Sequence, residues 1–555
     1  MLSVILIWAF IFITTIPAGF LLLRLMGRKE GLFFCHPEDL SMSGLMCVCV
    51  YTQVFSLFSG VGCGAVLLLL CISLLIIFVL RKDLGTFFRG AFSSPARVAL
   101  YAFLTLLMAF GASRGYLCYD SDLYHSHAIR WIEEYGVVRG VGNLDGRVAY
   151  NSASFSLSAL YSFAFLGGQS FHAVAGYMAL LVGISALRIF HIVKDKEIRL
   201  SDFARIAALY YISDIYVEML SPASDFFVLL YFYYIVIRAL ELSEAGAEEE
   251  KTAGIGASLA LLAFFAVTLK LSAAPLVLVT ILPLVYYIRE KKYGVIFGCG
   301  VSCVLIVLPW LIRNYILSGR LFYPSTALDI FDPVWKVPEG LTRGDSAYII
   351  GYGKGYITSE AADYPMNVWF PHWWGQLGGT EKLFFLASIA GAFFLAAALV
   401  IRRKALKEHL VEGTVLATLL FWFFSAPLIR YGRGFLLLFP FLMAGEFVMC
   451  VNGGGEKKKS RMVPLCAGLF VLILAYKAFG VVRTVVRELP QPYYICQQDY
   501  GEYECEAADV DGITVYVPLD DNRRSCYDFP STPCLQEGLH ALGETAADGF
   551  YIRKD

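Results

Sequence analysis

Val61-Gly62-Cys63-Gly64-Ala65-Val66-Leu67-Leu68-Leu69-Leu70-Cys71-Ile72-Ser73-Leu74-Leu75-Ile76-Ile77-Phe78-Val79-Leu80 is an apolar run without one charge, and Arg81-Lys82 closes it. About 20 such residues in a helix cross the hydrocarbon core of a bilayer. The same pattern recurs on both sides of this run and decides the fold class. The chain has 555 residues, of which 58% are hydrophobic and 16% charged. A soluble globular protein carries roughly 25% charged residues and about 45–50% apolar ones. That contrast excludes a cytosolic enzyme, a disordered scaffold and a disulfide-rich secreted module. The net charge of −1 gives no sign of a nucleic-acid partner, which would demand a basic excess.

Working outward from residues 61–80, we read an all-α polytopic membrane protein of about 14 transmembrane helices. The expected spans are Leu2–Leu23, Leu40–Gly60, Val61–Leu80, Val98–Ser113, Phe171–Val193, Phe203–Leu220, Phe226–Leu240, Thr252–Leu269, Leu271–Ile288, Val295–Ile312, Leu383–Ile401, Thr414–Ile429, Phe435–Val451 and Val463–Val481. Alternate short connections hold 24 of the Lys and Arg residues, for example Arg81, Lys82, Arg89 and Arg97, whereas residues 114–150 and 314–381 hold four each. Short cytoplasmic loops retain basic residues, so both termini are expected outside. The first span has basic residues after it and none before it, the reverse of a cleaved leader, and reads as an anchor. The apolar stretch Phe155–Leu166 has no basic cluster after it and is expected to lie at, or dip into, the outer face.

The organisation expected is therefore N-terminal transmembrane helices over 1–113, a first extracytoplasmic loop over 114–170, a transmembrane core over 171–313, a long extracytoplasmic loop over 314–381, C-terminal transmembrane helices over 382–481 and an extracytoplasmic domain over 482–555. That tail is expected to be a small α+β unit with a strand over 513–517. Its cysteines Cys496, Cys505, Cys526 and Cys534 suit disulfide staples, since a domain this small has a marginal core. Proximity favours Cys496–Cys505 and Cys526–Cys534. A metal site is the rival, but no CxxC spacing supports it.

The densest polar stretch is Tyr119-Asp120-Ser121-Asp122-Leu123-Tyr124-His125-Ser126-His127. Helical spacing from Leu123 to Tyr135, ended by Gly136, makes Asp120, Ser121 and Asp122 candidate caps. A carboxylate held there beside an apolar groove is also a candidate general base. With His125 or His127 the two Asp could instead hold a divalent cation. A nucleotide-sugar DxD reading fails on location, because such donors are cytoplasmic. Gly351-Tyr352-Gly353-Lys354-Gly355 lacks P-loop spacing.

Basic residues at the outer ends of spans are few: Lys270, Arg313, Arg430 and Arg433. Singly, each could snorkel to headgroups. Four from different helices on the side of Asp120 suit a phosphate or pyrophosphate, which arginine binds in paired fashion. Small-residue pairs such as Gly60/Gly64 and Gly294/Gly298 read as helix-packing contacts.

An Asp after an early span, an amphipathic outer loop and basic residues at outer helix ends resemble the GT-C class of membrane glycosyltransferases, which use polyprenyl-phosphate sugars. Residues 309–324, from Pro309-Trp310 through Arg313-Asn314 to Tyr323-Pro324, look like the helix-to-loop junction of that class, as does Ala426-Pro427-Leu428-Ile429-Arg430-Tyr431-Gly432. The chain also resembles an uncharacterised family of bacterial polytopic proteins across nearly its whole length. The shared elements are Tyr119–His125, Ala128–Glu133, Gly140–Arg147 and the tail element Cys526–Cys534, which is spaced a little differently here.

The resemblance implies a GT-C-like enzyme of the bacterial cytoplasmic membrane, acting with a lipid-linked sugar donor, a cell-envelope glycan or lipid acceptor and the surrounding membrane lipids. Asp120, with Asp122 second, would be catalytic. Lys270, Arg313, Arg430 and Arg433 would bind the donor phosphate. His125, Asn143, Arg147, Asn151, His372 and Trp373, with Trp369 and Trp374 alongside, would line the substrate loops. No cofactor follows from it beyond the divalent cation some members use. The rival functions are a lipid-linked polysaccharide polymerase or ligase, and a transporter or flippase; the latter would need charges at mid-span and similar halves.

Overall fold

The computed structural model describes residues 1–26, 35–114, 117–244, 249–401, 409–451, 462–490, 504–519 and 528–553. The chain is mostly helical with a small sheet region near its C-terminus, and it is a multi-pass membrane protein. Among the described residues ten helices are long and apolar enough to cross a membrane: Leu2–Met26, Cys63–Ala91, Pro95–Arg114, Val174–Asp195, Ser224–Glu244, Leu271–Arg289, Tyr293–Ser318, Gly379–Val400, Ile429–Val451 and Val463–Glu488.

The other four expected spans are helical but fall short of that standard. Leu200–Asp214 and Leu410–Ser425 have 15 and 16 residues, which rise about 24 Å at most. The apolar part of Glu249–Leu269 is Gly254–Leu269. Pro37–Ser56 has the length but carries buried Ser41, Ser43, Thr52 and Gln53. Ser41 serves neighbouring helices, its Oγ lying 2.9 Å from Thr15 Oγ1 and 2.8 Å from Tyr177 Oη, while Thr52 bonds back to Val48 O of its own helix. Gly19 and Gly44 let the first two helices touch backbone to backbone, since a Cβ at either would collide with Leu40 O or Thr15 O. The expected packing role of Gly294 and Gly298 is not seen, because nothing lies within 4 Å of a Cβ at either.

Ser224–Glu244 is the central helix. Its residues from Asp225 to Leu240 are all buried. Around it, one continuous core joins nearly every other helix. The stretch expected at the outer face is a helix, Ala153–Leu160, followed by a single 3-10 turn, Ala164–Leu166. Every residue of Ala153–Leu160 is buried against protein, the condition under which irregular backbone survives at membrane depth.

The long connections gather at one end of the bundle, hereafter the loop end. Gly140 N donates to Ile316 O at 2.8 Å and Val337 N to Ser318 O at 3.0 Å. The C-terminal segment is a cap of two antiparallel pairs, Cys505–Val510 with Ile513–Pro518 and Leu539–Ala541 with Phe550–Ile552, which contains the expected strand. It docks on the first loop: Phe550 N donates to Arg139 O at 2.9 Å, and Thr532 Oγ1 to Leu144 O at 2.7 Å. Gly140 and Gly549, both at positive φ, permit this approach, as a Cβ would strike Phe550 O or Arg139 O. Cys496 and Cys526 lie outside the described residues, and with them both expected disulfides.

Candidate functional site

Two short turns create the site. Cys118 N donates to Ser221 Oγ at 2.6 Å, tying the turn before Asp120 to the segment Ser221-Pro222-Ala223-Ser224-Asp225 that opens the central helix. From Ser121 to His125 the chain winds as a wide π-helical turn before the α-helix Ser126–Tyr135, a distortion common at functional positions. Gly136, at φ 79°, ends this helix as expected. Asp120 makes no side-chain cap bond there. Its carboxylate instead forms an ion pair with Arg430.

Arg430 stands at the start of Ile429–Val451, just after a turn in which Leu428 N donates to Ala426 O at 2.8 Å. Arg430 Nε is 3.1 Å from Asp225 Oδ2, and Asp225 Oδ1 pairs with Lys270. Lys270 is held in extended backbone between Glu249–Leu269 and the 3-10 segment Leu271–Thr280. Its ammonium lies 3.3 Å from the Tyr431 ring centroid, a cation–π contact. The freed carbonyl of Leu269 accepts from Ser152 Oγ at 2.8 Å. Two acids and two bases from four separate segments thus converge at the loop end. Arg430 and Lys270 remain about a quarter exposed, while Asp225 is buried.

The long loop borders this cluster. Helix Glu339–Gly353 presses its end onto the 426–428 turn, where a Cβ on Gly353 would come within 2.9 Å of Ala426 Cα. Tyr348 and Tyr352 on that helix are exposed and stacked. Burial, then Asp120, pushes the Tyr352 hydroxyl above its ordinary pKa, so it stays a proton donor near neutrality. Behind the cluster, Tyr150 packs between Tyr124 and Tyr323. Tyr323 Oη donates to Asp345 Oδ2 at 2.6 Å, and burial pushes the Asp345 carboxyl up.

The remaining expected site residues have other work. Arg313 is buried, donates Nε to Asn151 Oδ1 at 3.0 Å, and reaches Ser56 Oγ. The cavity beside it holds about 10 Å³, room for a water but not a phosphate. Asn151 also donates to Trp310 O and Asn314 Oδ1, so this pair braces the Tyr293–Ser318 junction. Arg433 joins a second cluster, 2.8 Å from Asp214, which Lys477 also engages. Asn143 Nδ2 donates to Trp335 O and Phe550 O and staples the cap. Arg147 pairs with Asp145 at 3.3 Å. Trp373 is buried and donates to Pro427 O at 2.7 Å, supporting the turn before Arg430 rather than facing a ligand. Trp369 is buried with it. His372 is exposed and stacks on Tyr356.

Among the described residues the histidines do not form a cation site with Asp120. His125 Nδ1 is 3.0 Å from Ser121 Oγ, and His127 Nε2 is 3.1 Å from Ser531 Oγ of the cap. Burial pushes both down to about 4, so they are neutral near pH 7. The Asp122 side chain lies outside the described residues. A cavity of about 610 Å³ bordered by basic residues is at the opposite end, lined by Arg24, His36, Arg97 and Arg188. There Arg24 already pairs with Asp83, and Arg188 with Glu38 and Glu241.

Residues 1–437 match a family model described as a domain of unknown function, DUF8201. The chain belongs to the DUF8201 family. That span includes Asp120, Asp225, Lys270, Arg430 and Tyr431, so the whole cluster falls within the family domain, while the cap lies beyond it. No curated protein and no solved structure matches this DUF8201 protein.

Sequence reading missed Asp225, which holds the two bases together. Bases at span ends single themselves out in this sequence, and Asp225 stands at the same end of its own span. An acid at the loop end of a span is the same kind of signal.

Proposed function

We propose that this protein is a membrane glycosyltransferase that moves a sugar from a polyprenyl-phosphate donor to a cell-envelope glycan, lipid or protein. On this reading the fold is GT-C-like, the four remaining helices complete a fourteen-span bundle, and the loop end faces outward from a bacterial cytoplasmic membrane with both termini on that side. The observation that carries it is the meeting of Asp120 with Arg430 and Lys270 around buried Asp225.

The chemistry follows from exchange of partners. Donor phosphate oxygens take over Arg430 and Lys270, and Asp120 is released from its ion pair. The acceptor hydroxyl oxygen then bonds to the anomeric carbon as the bond from that carbon to the phosphate oxygen breaks. The hydroxyl proton goes to Asp120, and the negative charge leaves on the lipid phosphate, where Arg430 and Lys270 stabilise it. Asp225 keeps both bases aimed. Tyr348 and Tyr352 offer exposed rings on which a sugar can lie.

A polymerase or ligase of lipid-pyrophosphate glycans is the second reading. The pair Arg433 and Lys477 at Asp214 favours it, because those bases could serve a second phosphate. The test is transfer in proteoliposomes with lipid-linked sugars. Asp120→Asn is expected to lower transfer by about 10²–10⁴-fold; undiminished transfer removes Asp120 as the base. In a deletion strain, accumulation of monophosphate-linked sugar supports transfer, and accumulation of pyrophosphate-linked glycan supports the second reading.

A further inference from the structure

A second constellation lies at the other end of the hairpin that carries Arg430. Helices Leu410–Ser425 and Ile429–Val451 are joined at the loop end by the 426–428 turn, where Trp422 Nε1 donates to Leu428 O at 3.0 Å. At their far ends stand His409, immediately before the first helix, Glu412 in its first turn, and Glu446 on the second helix. All three are buried. One donor atom from each lies within 4.8 Å of the others. His409 Nδ1 is 3.7 Å from Glu412 Oε1 and 3.9 Å from Glu446 Oε1.

Those separations are too long for hydrogen bonds. They are close to the spacing of ligand atoms around a shared ion: donors about 2.1 Å from a tetrahedral metal lie roughly 3.4 Å apart. Glu412 supplies an independent sign. Its side chain is 2% exposed, its Oε2 has no hydrogen-bond partner, and it makes no ion pair with Lys or Arg among the described residues. A buried carboxylate without compensation is costly.

We propose that His409, Glu412 and Glu446 bind one divalent transition-metal ion. The donor set of one imidazole and two carboxylates suits Zn²⁺, Mn²⁺ or Fe²⁺. Mg²⁺ and Ca²⁺ favour oxygen ligands throughout. The ion clips the open end of the hairpin and so fixes the helix whose other end presents Arg430. The proposal is independent of the glycosyltransferase reading, because it concerns metal occupancy and not transfer.

The test uses the full-length protein in detergent, stripped with a chelator, reloaded with Zn²⁺ and desalted, with metal measured by mass spectrometry. A single ion per chain is expected, bound at least about tenfold more weakly by Glu412→Gln. Metal no higher than a buffer blank after separate loading with Zn²⁺, Mn²⁺ and Fe²⁺ overturns the proposal, and so does full retention by Glu412→Gln. If that variant does not fold, the wild-type chain decides. Loading with Co²⁺ should give visible ligand-field bands without thiolate charge transfer, and Zn²⁺ should abolish them. No bands, or bands carrying thiolate character, would place any metal elsewhere.

Discussion

The central helix Ser224–Glu244 carries an ion cluster at each end, and the two ends differ in what they leave open. At the end away from the loops, Arg188, Arg205 and Arg238 meet Glu38, Asp39, Asp202 and Glu241. Arg205 is 3% exposed and Arg238 4%. At the loop end, Asp225 and Asp120 meet Lys270 and Arg430, of which Arg430 is 27% exposed and Asp120 15%. Both clusters nearly balance their charges. In the first, Arg205 and Arg238 are enclosed and lock Pro37–Ser56, Leu200–Asp214 and the central helix together, while Arg188, 25% exposed, borders the cavity at that end. The second keeps one side of each base within reach, so a ligand's oxygens can replace a carboxylate's.

The largest effect expected from breaking this contrast is on the locked end. Arg238→Met removes the arginine partner of Asp39 and one of the three at Glu241, leaving buried Asp39 short of charge. Removing one partner of a buried pair costs about 3–5 kcal/mol, read as a lower unfolding midpoint by tryptophan fluorescence in detergent. Arg430→Met should cost clearly less, because Asp120 can turn to solvent and Asp225 retains Lys270. Equal destabilisation by the two variants would remove the distinction between lock and site.

The two ends were also unequally legible in the sequence. Apolar runs such as residues 61–80 and 295–312 announce their helices, because a membrane-length helix is what satisfies so long an uncharged apolar stretch. Lys270 and Arg430 stood out as bases at span ends, and Asp120 as the acid nearest them, and the three do converge. Arg313 and Arg433 fit the same rule and belong elsewhere, since a base at a span end does not reveal which neighbour it will meet. Arg313 found Asn151 and Ser56, residues far away in sequence. Trp373 looked like a sugar platform and proved to be a brace. The run over 40–60 reads as a plain span, whereas Ser41 within it contacts Thr15 and Tyr177 and helps seat the helix Pro37–Ser56.

A smaller effect, confined to the loop end, comes from acid. His125 and His127 are pushed down to about 4 by burial, below the ordinary value of about 6.5. A depressed histidine favours its neutral form in the folded state, so its stabilising contribution is complete above about pH 6.5 and is lost as pH falls toward 4. Between pH 7 and pH 5 each contributes a loss of about 2 kcal/mol. His127 contacts Ser531 and Phe529 of the cap, so the cap should become protease-sensitive at pH 5 before the bundle does. His127→Gln should blunt that sensitivity. A cap equally resistant at pH 5 and pH 7 would show that this contact does not govern docking.

The smallest effect is expected at Arg433, which tests whether every base at the loop end belongs to the site. It lies 2.8 Å from Asp214 and is 44% exposed, while Lys477 keeps Asp214 partnered and sits 3.5 Å from the Tyr210 ring centroid. Arg433→Gln therefore removes one exposed ion pair and leaves no acid stranded. Its cost should be within about 1 kcal/mol and should shrink as salt rises. In a transfer assay Arg430→Gln should reduce the rate far more than Arg433→Gln, because only Arg430 touches Asp120 and Asp225. Comparable losses from the two would draw Asp214, Arg433 and Lys477 into the same site, and that outcome would favour a ligand with two phosphates over one.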